Sequence, residues 1–204
     1  MSTQEFAVAS VDALVFRLDE DGLKVYLHQR RAEPFEGVFA LPGVLIRHRE
    51  SIADATRRAV KVRSGVSDAL VGDTQQFKVF DEPERDPRGN TLSIASFVAV
   101  DEHFEAEASD GGFFPVENLP ALAFDHEDVV AAAVPEIVRS PFAVRALLGE
   151  QFTTGDLLHL FNACGQEVDA TNLSRMVPVM LPVQRVGRKA SRFTGRSSLL
   201  WSFA

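Results

Sequence analysis

The stretch from Leu41 to Val66 constrains the fold of this chain more strongly than any other, because it carries its own start and stop signals. It reads LPGVLIRHRESIADATRRAVKVRSGV. Ser51 is a favourable N-cap for a helix over Ile52–Ser64, and Gly65 suits the left-handed backbone that commonly ends a helix. The sequence therefore predicts a helix held between two loops, with a Leu-Pro-Gly turn ahead of it.

This helix lacks the side chains that would bind a metal ion on one of its faces. Its inward stripe is predicted to be Ile52, Ala55, Ala59 and Val62. Positions 59, 62 and 63 are three and four apart, which favours one helical face. Carboxylates at such positions hold hard divalent cations that activate water. Ala59 and Val62 offer no oxygen ligand and Arg63 adds a positive charge, so we predict no metal ligand and no catalytic residue here.

The stretch resembles the Nudix box, the loop–helix–loop of enzymes that cleave nucleoside diphosphates linked to another group. The family pattern is G-x5-E-x7-R-E-U-x-E-E-x-G-U, with U apolar, and the chain fits it without a gap. In that family the Glu50 and Arg58 positions brace the loop against the helix. The resemblance implies a structural role for Gly43, Glu50, Arg58 and Gly65, whereas Val44 replaces the first glycine of the pattern.

Composition and charge bound the remaining choices. Apolar residues make up 46% of the 204 residues, enough to build the cores of two domains. There is no apolar run long enough to span a membrane and no secretory signal pattern. The single Cys164 is predicted to be a buried small apolar residue. These features predict a soluble, cytoplasmic protein.

Charge is distributed unevenly along the chain. The net charge is −8, and it arises in residues 1–122, with 13 basic and 21 acidic residues, while residues 123–204 carry eight of each. No acidic residue follows Asp169, whereas six basic residues do. A basic terminal segment on an acidic protein indicates a polyanionic partner.

Hydrophobic patterns predict two different folds in sequence order. A hairpin over Val11–Leu18 and Leu23–His28, with strands near Thr74–Phe80 and Leu92–Val100, predicts mixed strands around the Ile52–Ser64 helix. A helix from Thr154 to about Cys164, capped by Thr153, then precedes a second helix from Ala170 to about Met176. We expect Pro178 to stop that helix.

The C-terminal pattern ends in a hairpin. Val183–Val186 and Ser197–Phe203 are predicted strands, and Gly187–Gly195 is predicted to be a basic turn between them. Two short helices and such a hairpin are typical of a winged helix-turn-helix that binds double-stranded DNA. Base and phosphate contacts are then predicted, from the second helix and the wing, at Thr171, Asn172, Ser174, Arg175, Arg188, Lys189 and Arg192.

The two halves together resemble the Nudix-related transcriptional regulators (NrtR). Matching stretches lie at residues 34–37, 41–43, 85–89, 122–126 and 152–153. The resemblance implies an α+β chain with a Nudix-like α/β/α sandwich (1–122), linker helices (123–150) and a winged helix-turn-helix (151–204). It also implies a homodimeric repressor of NAD or nucleotide-sugar genes on a palindromic operator, with ADP-ribose or a similar nucleotide as effector and no required cofactor.

Four arginines are predicted to bind the diphosphate of such an effector. Arg85 and Arg88 lie in a polar loop, and Arg30 or Arg31 ends a predicted strand. His126 is expected to cap or pack rather than to transfer protons.

Two other hypotheses remain open. One is an active hydrolase that recruits acids such as Glu50, Glu82 or Glu84. The other is a sensor that binds protein rather than DNA.

Overall fold

The computed structural model describes residues 6–100, 104 and 110–204. They form two compact units: unit 1 holds the described residues up to Phe16 and Val25–Val130, and unit 2 holds Arg17–Lys24 and Ala131–Ala204. The domain limits at 122 and 150 stay predictions. No helix in the described part is long and apolar enough to cross a membrane.

Among the described residues, most strands lie in unit 1 and most helices lie in unit 2. The strands are β1 (Val8–Leu14), β2 (Phe16–Asp19), β3 (Gly22–Gln29), β4 (Phe39–Ala40), β5 (Gly43–Leu45), β6 (Val71–Phe80), β7 (Thr91–Val100), β8 (Gly111–Pro115), β9 (Gln151–Thr153), β10 (Val183–Ala190) and β11 (Ser197–Phe203). The helices are α1 (Ile52–Ser64), α2 (His126–Ile137), α3 (Pro141–Leu148), α4 (Thr154–Ala163) and α5 (Ala170–Met180).

The main sheet of unit 1 has the order β5-β1-β7-β6. Strand β1 runs parallel to β7 and antiparallel to β5, so Asp12 is paired with Gly43 on one side and with Ala95 on the other. A second sheet joins β3 to β2, β4 and β8. The α+β class is confirmed. The predicted hairpin forms between β2 and β3, but its first predicted strand, Val11–Leu18, is divided: residues 11–14 belong to β1 of the main sheet and residues 16–18 to β2.

Helix α1 has the predicted bounds because both cap signals act locally. The Ser51 side chain accepts a hydrogen bond from the Asp54 amide, and Gly65 adopts a left-handed backbone at φ 78°. Ala55 and Ala59 are fully buried against Val11. The inward position predicted for Val62 is wrong: its side chain is 59% exposed, because the helix packs through Ala59 and Val60 instead.

Unit 2 contains the helix pair and hairpin of a winged helix. The sheet has the order β10-β11-β9, and α4 packs against β11 and α5. Thr153 and Asp156 form a reciprocal capping box at the start of α4. Asp156 also accepts hydrogen bonds from the Ser191 hydroxyl at 2.8 Å and the Arg192 amide at 2.9 Å. One buried carboxylate therefore joins the helix to the hairpin tip.

The predicted end of α5 is wrong. The helix continues past Pro178 to Met180, although proline forfeits one helical hydrogen bond. Leu173, Val177 and Leu181 are spaced four apart and are buried, so their packing outweighs the loss.

The predicted wing turn is also too long. Strand β10 continues through Gly187 to Ala190, with a register shift between Arg185 and Gly187 that leaves one extra residue in the strand. Arg188 and Lys189 therefore lie on the strand, opposite Leu199 and Ser198, rather than in the turn. A glycine among basic residues resembles a turn, but here its permissive backbone serves a bulge.

Asp156→Ala is expected to destabilise unit 2 by about 3 kcal/mol, because it removes a helix cap and leaves buried donors unsatisfied. Asp169→Ala, which removes only the exposed cap of α5, should cost about 1 kcal/mol. Urea unfolding followed by fluorescence of the buried Trp201, the single tryptophan, measures both. A loss at Asp156 no larger than that at Asp169 would contradict the joining role.

Candidate functional site

A cleft of about 220 Å³ opens in unit 1, where β1, β3 and β5 meet three loops. Four arginines and two histidines contribute to its wall. The lining residues are Ser10, Asp12, His28, Arg30, Ala32, Glu33, Leu41, Gly43, Val44, Leu45, Arg63, Arg85, Asp86, Arg88, Thr91, Phe124 and His126.

The buried Asp12 carboxylate lies at the base of this cleft. It accepts a 2.6 Å hydrogen bond from the Ser93 hydroxyl and a 3.4 Å bond from the Arg85 guanidinium. Gly43 lies so close that a β-carbon there would overlap the carboxylate and come within 3.2 Å of the Val11 carbonyl oxygen. A glycine is therefore required at the paired position.

Both histidines of the cleft have roles that favour the neutral ring. Nδ1 of His126 accepts a 2.9 Å hydrogen bond from the Leu41 amide, which puts the proton on Nε2, 3.5 Å from Asp12. Burial lowers the pKa of His126. Burial also lowers the pKa of His28 to about 4, and its Nδ1 donates to the Gln29 carbonyl. The prediction that His126 packs rather than transfers protons fits this geometry.

The predicted effector arginines have different partners. Arg85 is buried and donates to Asp125 at 2.8 Å through Nε. Burial opposes its charge, but the hydrogen bonds with Asp125 and Asp12 outweigh that cost and raise its pKa. Arg88 donates twice to Asp86, at 3.0 and 2.7 Å. Both charges are therefore largely compensated within the protein.

Arg30 and Arg88 both lie against the ring of Phe124. Their guanidinium carbons are 4.7 Å and 5.5 Å from the ring centroid. Arg30 donates to the carbonyl oxygens of Pro34 at 2.7 Å and Ala32 at 3.3 Å. The cleft thus presents an aromatic face beside two cations.

Arg31 is the one predicted effector residue that the structure places elsewhere. It does not line the cleft; its side chain is 74% exposed and pairs with Asp110 at 2.6 Å. Sequence reasoning also missed Phe124 and Arg63 as lining residues. Both lie in stretches that matched the family pattern, so their positions were available, whereas Asp12 and His28 lie on strands without any motif.

The brace predicted within the box is formed. Arg58 donates to the two carboxylate oxygens of Glu50 at 2.6 and 2.7 Å, and to the Leu45 carbonyl at 2.9 Å. These hydrogen bonds, with one from the Arg47 amide, lower the pKa of Glu50 to about 2. The pair joins α1 to the loop that precedes it.

The residues in the three metal-binding positions of the box do not fit a divalent cation. The side chain of Ala59 is buried and that of Val62 points to solvent, while Arg63 brings a guanidinium into the cleft. Within the described ranges, no group of three His, Cys, Asp or Glu side chains could hold a metal ion.

Unit 2 contains a separate groove of about 630 Å³ between α4, α5 and the wing. Three arginines, Arg175, Arg188 and Arg196, line it together with small polar side chains and with Leu158, His159 and Leu199. Gly155 at the start of α4 donates its amide to the Ser198 hydroxyl at 3.1 Å, so helix and wing meet closely at the groove wall. Such a surface can accept a polyanionic backbone.

The structure brings together four of the seven predicted DNA-binding residues. Thr171, Ser174, Arg175 and Arg188 line the groove. The three others do not line it. The side-chain amide of Asn172 donates a hydrogen bond to the capping Asp169, and Arg192 donates to the Leu147 carbonyl at 2.8 Å. Lys189 follows Arg188 on β10 but is not among the lining residues. Arg196 was missed, although it belongs to the same acid-free segment.

The family profile described as "NUDIX domain" matches residues 8–133 of this chain. The chain belongs to the NUDIX family. An ADP-ribose pyrophosphatase of Methanocaldococcus jannaschii is 34% identical over 124 residues, which are 59% of this chain and 69% of that protein.

Two solved NUDIX structures extend the comparison. Shewanella oneidensis NrtR complexed with a 27mer DNA is 25% identical, with a TM-score of 0.73 over 96% of this chain and 93% of that one. The NUDIX domain of the same NrtR complexed with ADP ribose is 26% identical, with a TM-score of 0.54 over 65% of this chain and 90% of that one. The predicted resemblance to the Nudix-related regulators is confirmed.

In this NUDIX domain, Gly43→Ala is expected to destabilise the fold by about 2 kcal/mol, since the new methyl group overlaps the Asp12 carboxylate. Gly112→Ala is the matched control, because its β-carbon would meet no atom closer than 3.9 Å. Urea unfolding followed by circular dichroism compares the two. Equal stability of both variants would show that the close approach at Gly43 is not required.

Proposed function

We propose that this protein is a DNA-binding transcriptional regulator whose NUDIX domain binds ADP-ribose or a similar nucleotide as an effector. The basic groove of unit 2, between the second helix of a helix-turn-helix and its wing, carries this proposal. We further propose a homodimer on a palindromic operator, acting as a repressor of NAD or nucleotide-sugar genes, with the effector shifting the dimer between binding and non-binding states.

The cleft of unit 1 supports the effector part of the proposal. Guanidinium groups suit phosphate oxygens, and an aromatic ring beside them suits a planar base. Arg30 and Phe124 supply both features. Arg88 lies against the same ring, and its side chain stays half-exposed although it pairs with Asp86. The NUDIX domain of Shewanella oneidensis NrtR was solved with ADP ribose, which supports the same class of ligand here.

The groove supports the DNA part. It joins exposed residues of α5 to Arg188 of the wing, as base and phosphate contacts in a winged helix require. The likeness to NrtR complexed with a 27mer DNA covers nearly the whole chain and so includes these elements.

Arg175→Ala and Arg188→Ala are each expected to weaken binding to operator DNA about tenfold and to reduce the salt slope by about one. Arg139→Ala is the control, since Arg139 pairs with Glu136 and does not line the groove. Fluorescence anisotropy on upstream DNA of its own and neighbouring genes measures this. Absence of any sequence-specific binding, with or without ADP-ribose, would refute the proposal.

A second candidate function is hydrolysis of ADP-ribose. The 34% identity to an ADP-ribose pyrophosphatase favours it. Against it, both carboxylate oxygens of Glu50 accept hydrogen bonds from Arg58, and Glu82 and Glu84 do not line the cleft. These positions argue against a catalytic role for the three acids.

We expect no phosphate release above background when the protein is incubated with ADP-ribose, Mg²⁺ or Mn²⁺ and a coupled phosphatase. An authentic ADP-ribose pyrophosphatase under the same conditions serves as positive control. Turnover by the wild-type protein that falls in Glu50→Gln would support the hydrolase instead.

A further inference from the structure

The four arginines of the unit 1 cleft fall into two classes. Arg85 and Arg88 pair with carboxylates, as described above. Arg30 and Arg63, within the described part of the chain, donate only to backbone carbonyl oxygens. These two cations therefore keep their charge available for an anionic ligand.

Arg63 is held in the cleft but is weakly bound there. Its Nε and Nη2 both lie 3.4 Å from the Gly43 carbonyl oxygen, which is the long limit of a hydrogen bond. Its backbone is better fixed, because the Tyr26 hydroxyl donates to the Arg63 carbonyl at 3.2 Å. The side chain can thus turn to a ligand while its origin on α1 stays in place.

The electrostatic setting of Arg63 favours an anion. The residue is half-buried, and burial, together with the charge of Arg31, lowers its pKa despite the opposing effect of Asp110. Arg63 also acts on its neighbours, since its charge contributes to the lowered pKa values of Arg30 and His28. A negative group between Arg30 and Arg63 would relieve this repulsion.

We propose that Arg63 replaces the divalent cation of the NUDIX box and binds the diphosphate of the effector directly. Arg63 occupies a position of the box that holds a metal-binding acid in the family pattern. The inference rests on the proposed effector function and adds its mechanism: nucleotide binding without metal.

A guanidinium and a metal ion bind a diphosphate with different consequences. Both neutralise phosphate charge, and a guanidinium can bond two oxygens at once. A metal ion also lowers the pKa of a bound water and so generates a nucleophile, which a guanidinium does not do. Binding through Arg63 would therefore retain the ligand intact.

The test is a calorimetric titration with ADP-ribose, and in parallel with inorganic pyrophosphate, in EDTA and in Mg²⁺. We expect equal or tighter binding in EDTA, because Mg²⁺ competes for the same oxygens. Arg63→Gln should weaken both ligands at least tenfold, and Arg63→Lys should weaken them less. Arg57→Gln is the control: Arg57 lies on the same helix, pairs with Asp54 and does not line the cleft.

Each outcome decides a separate question, provided that thermal melting shows the variants to be folded. Wild-type binding that requires Mg²⁺, or unchanged binding by Arg63→Gln, overturns the role of Arg63 while leaving an effector in place. Binding of pyrophosphate but not of ADP-ribose, with loss in Arg63→Gln, supports Arg63 and removes the proposed effector. Binding of neither ligand overturns both the role of Arg63 and the proposed effector.

Discussion

Unit 1 is organised around a buried negative charge at Asp12 that several parts of the chain must satisfy together. A buried carboxylate is costly unless donors surround it. Ser93 of β7 and Arg85 of a loop donate hydrogen bonds to it, and Nε2 of His126 lies 3.5 Å away. Gly43 of β5 leaves room for the carboxylate. Because these groups come from four segments, the carboxylate ties the base of the cleft to the sheet.

The elements that were predictable from sequence are those with local signals. Helix α1 has the predicted bounds because Ser51 and Gly65 act on backbone groups only a few residues away. Glu50 and Arg58 are eight residues apart, and their pairing followed from the family pattern. The end of α5 and the length of β10 depend instead on burial and strand pairing across unit 2. Pro178 and Gly187 are local signals, and the ends of helix and strand predicted from them were therefore wrong.

The site was predictable in its residue types but not in their charge balance. The arginine-rich loop at 85–89 indicated anion binding, yet Arg85 is neutralised by Asp125 and Asp12, which are 40 and 73 residues away along the chain. No spacing rule reports such partners. Conversely, the sequence marked Arg63 only as a positive charge at a metal-binding position of the box. Its long contacts to the Gly43 carbonyl oxygen are the observation behind its proposed role in binding an anion.

The extra residue in β10 affects the shape of the wing rather than the partners of its basic residues. From Gly187 onward, every side chain of the strand faces a partner one position away from the one that a regular ladder would give it. Arg188 reaches the groove in that shifted register, opposite Leu199. Val186 is the residue without a partner, so its loss would leave Gly187 opposite Leu200 and Arg188 opposite Leu199. The extra residue therefore sets the bend and twist with which the strand approaches the groove, while the pairing of the basic residues beyond it stays the same.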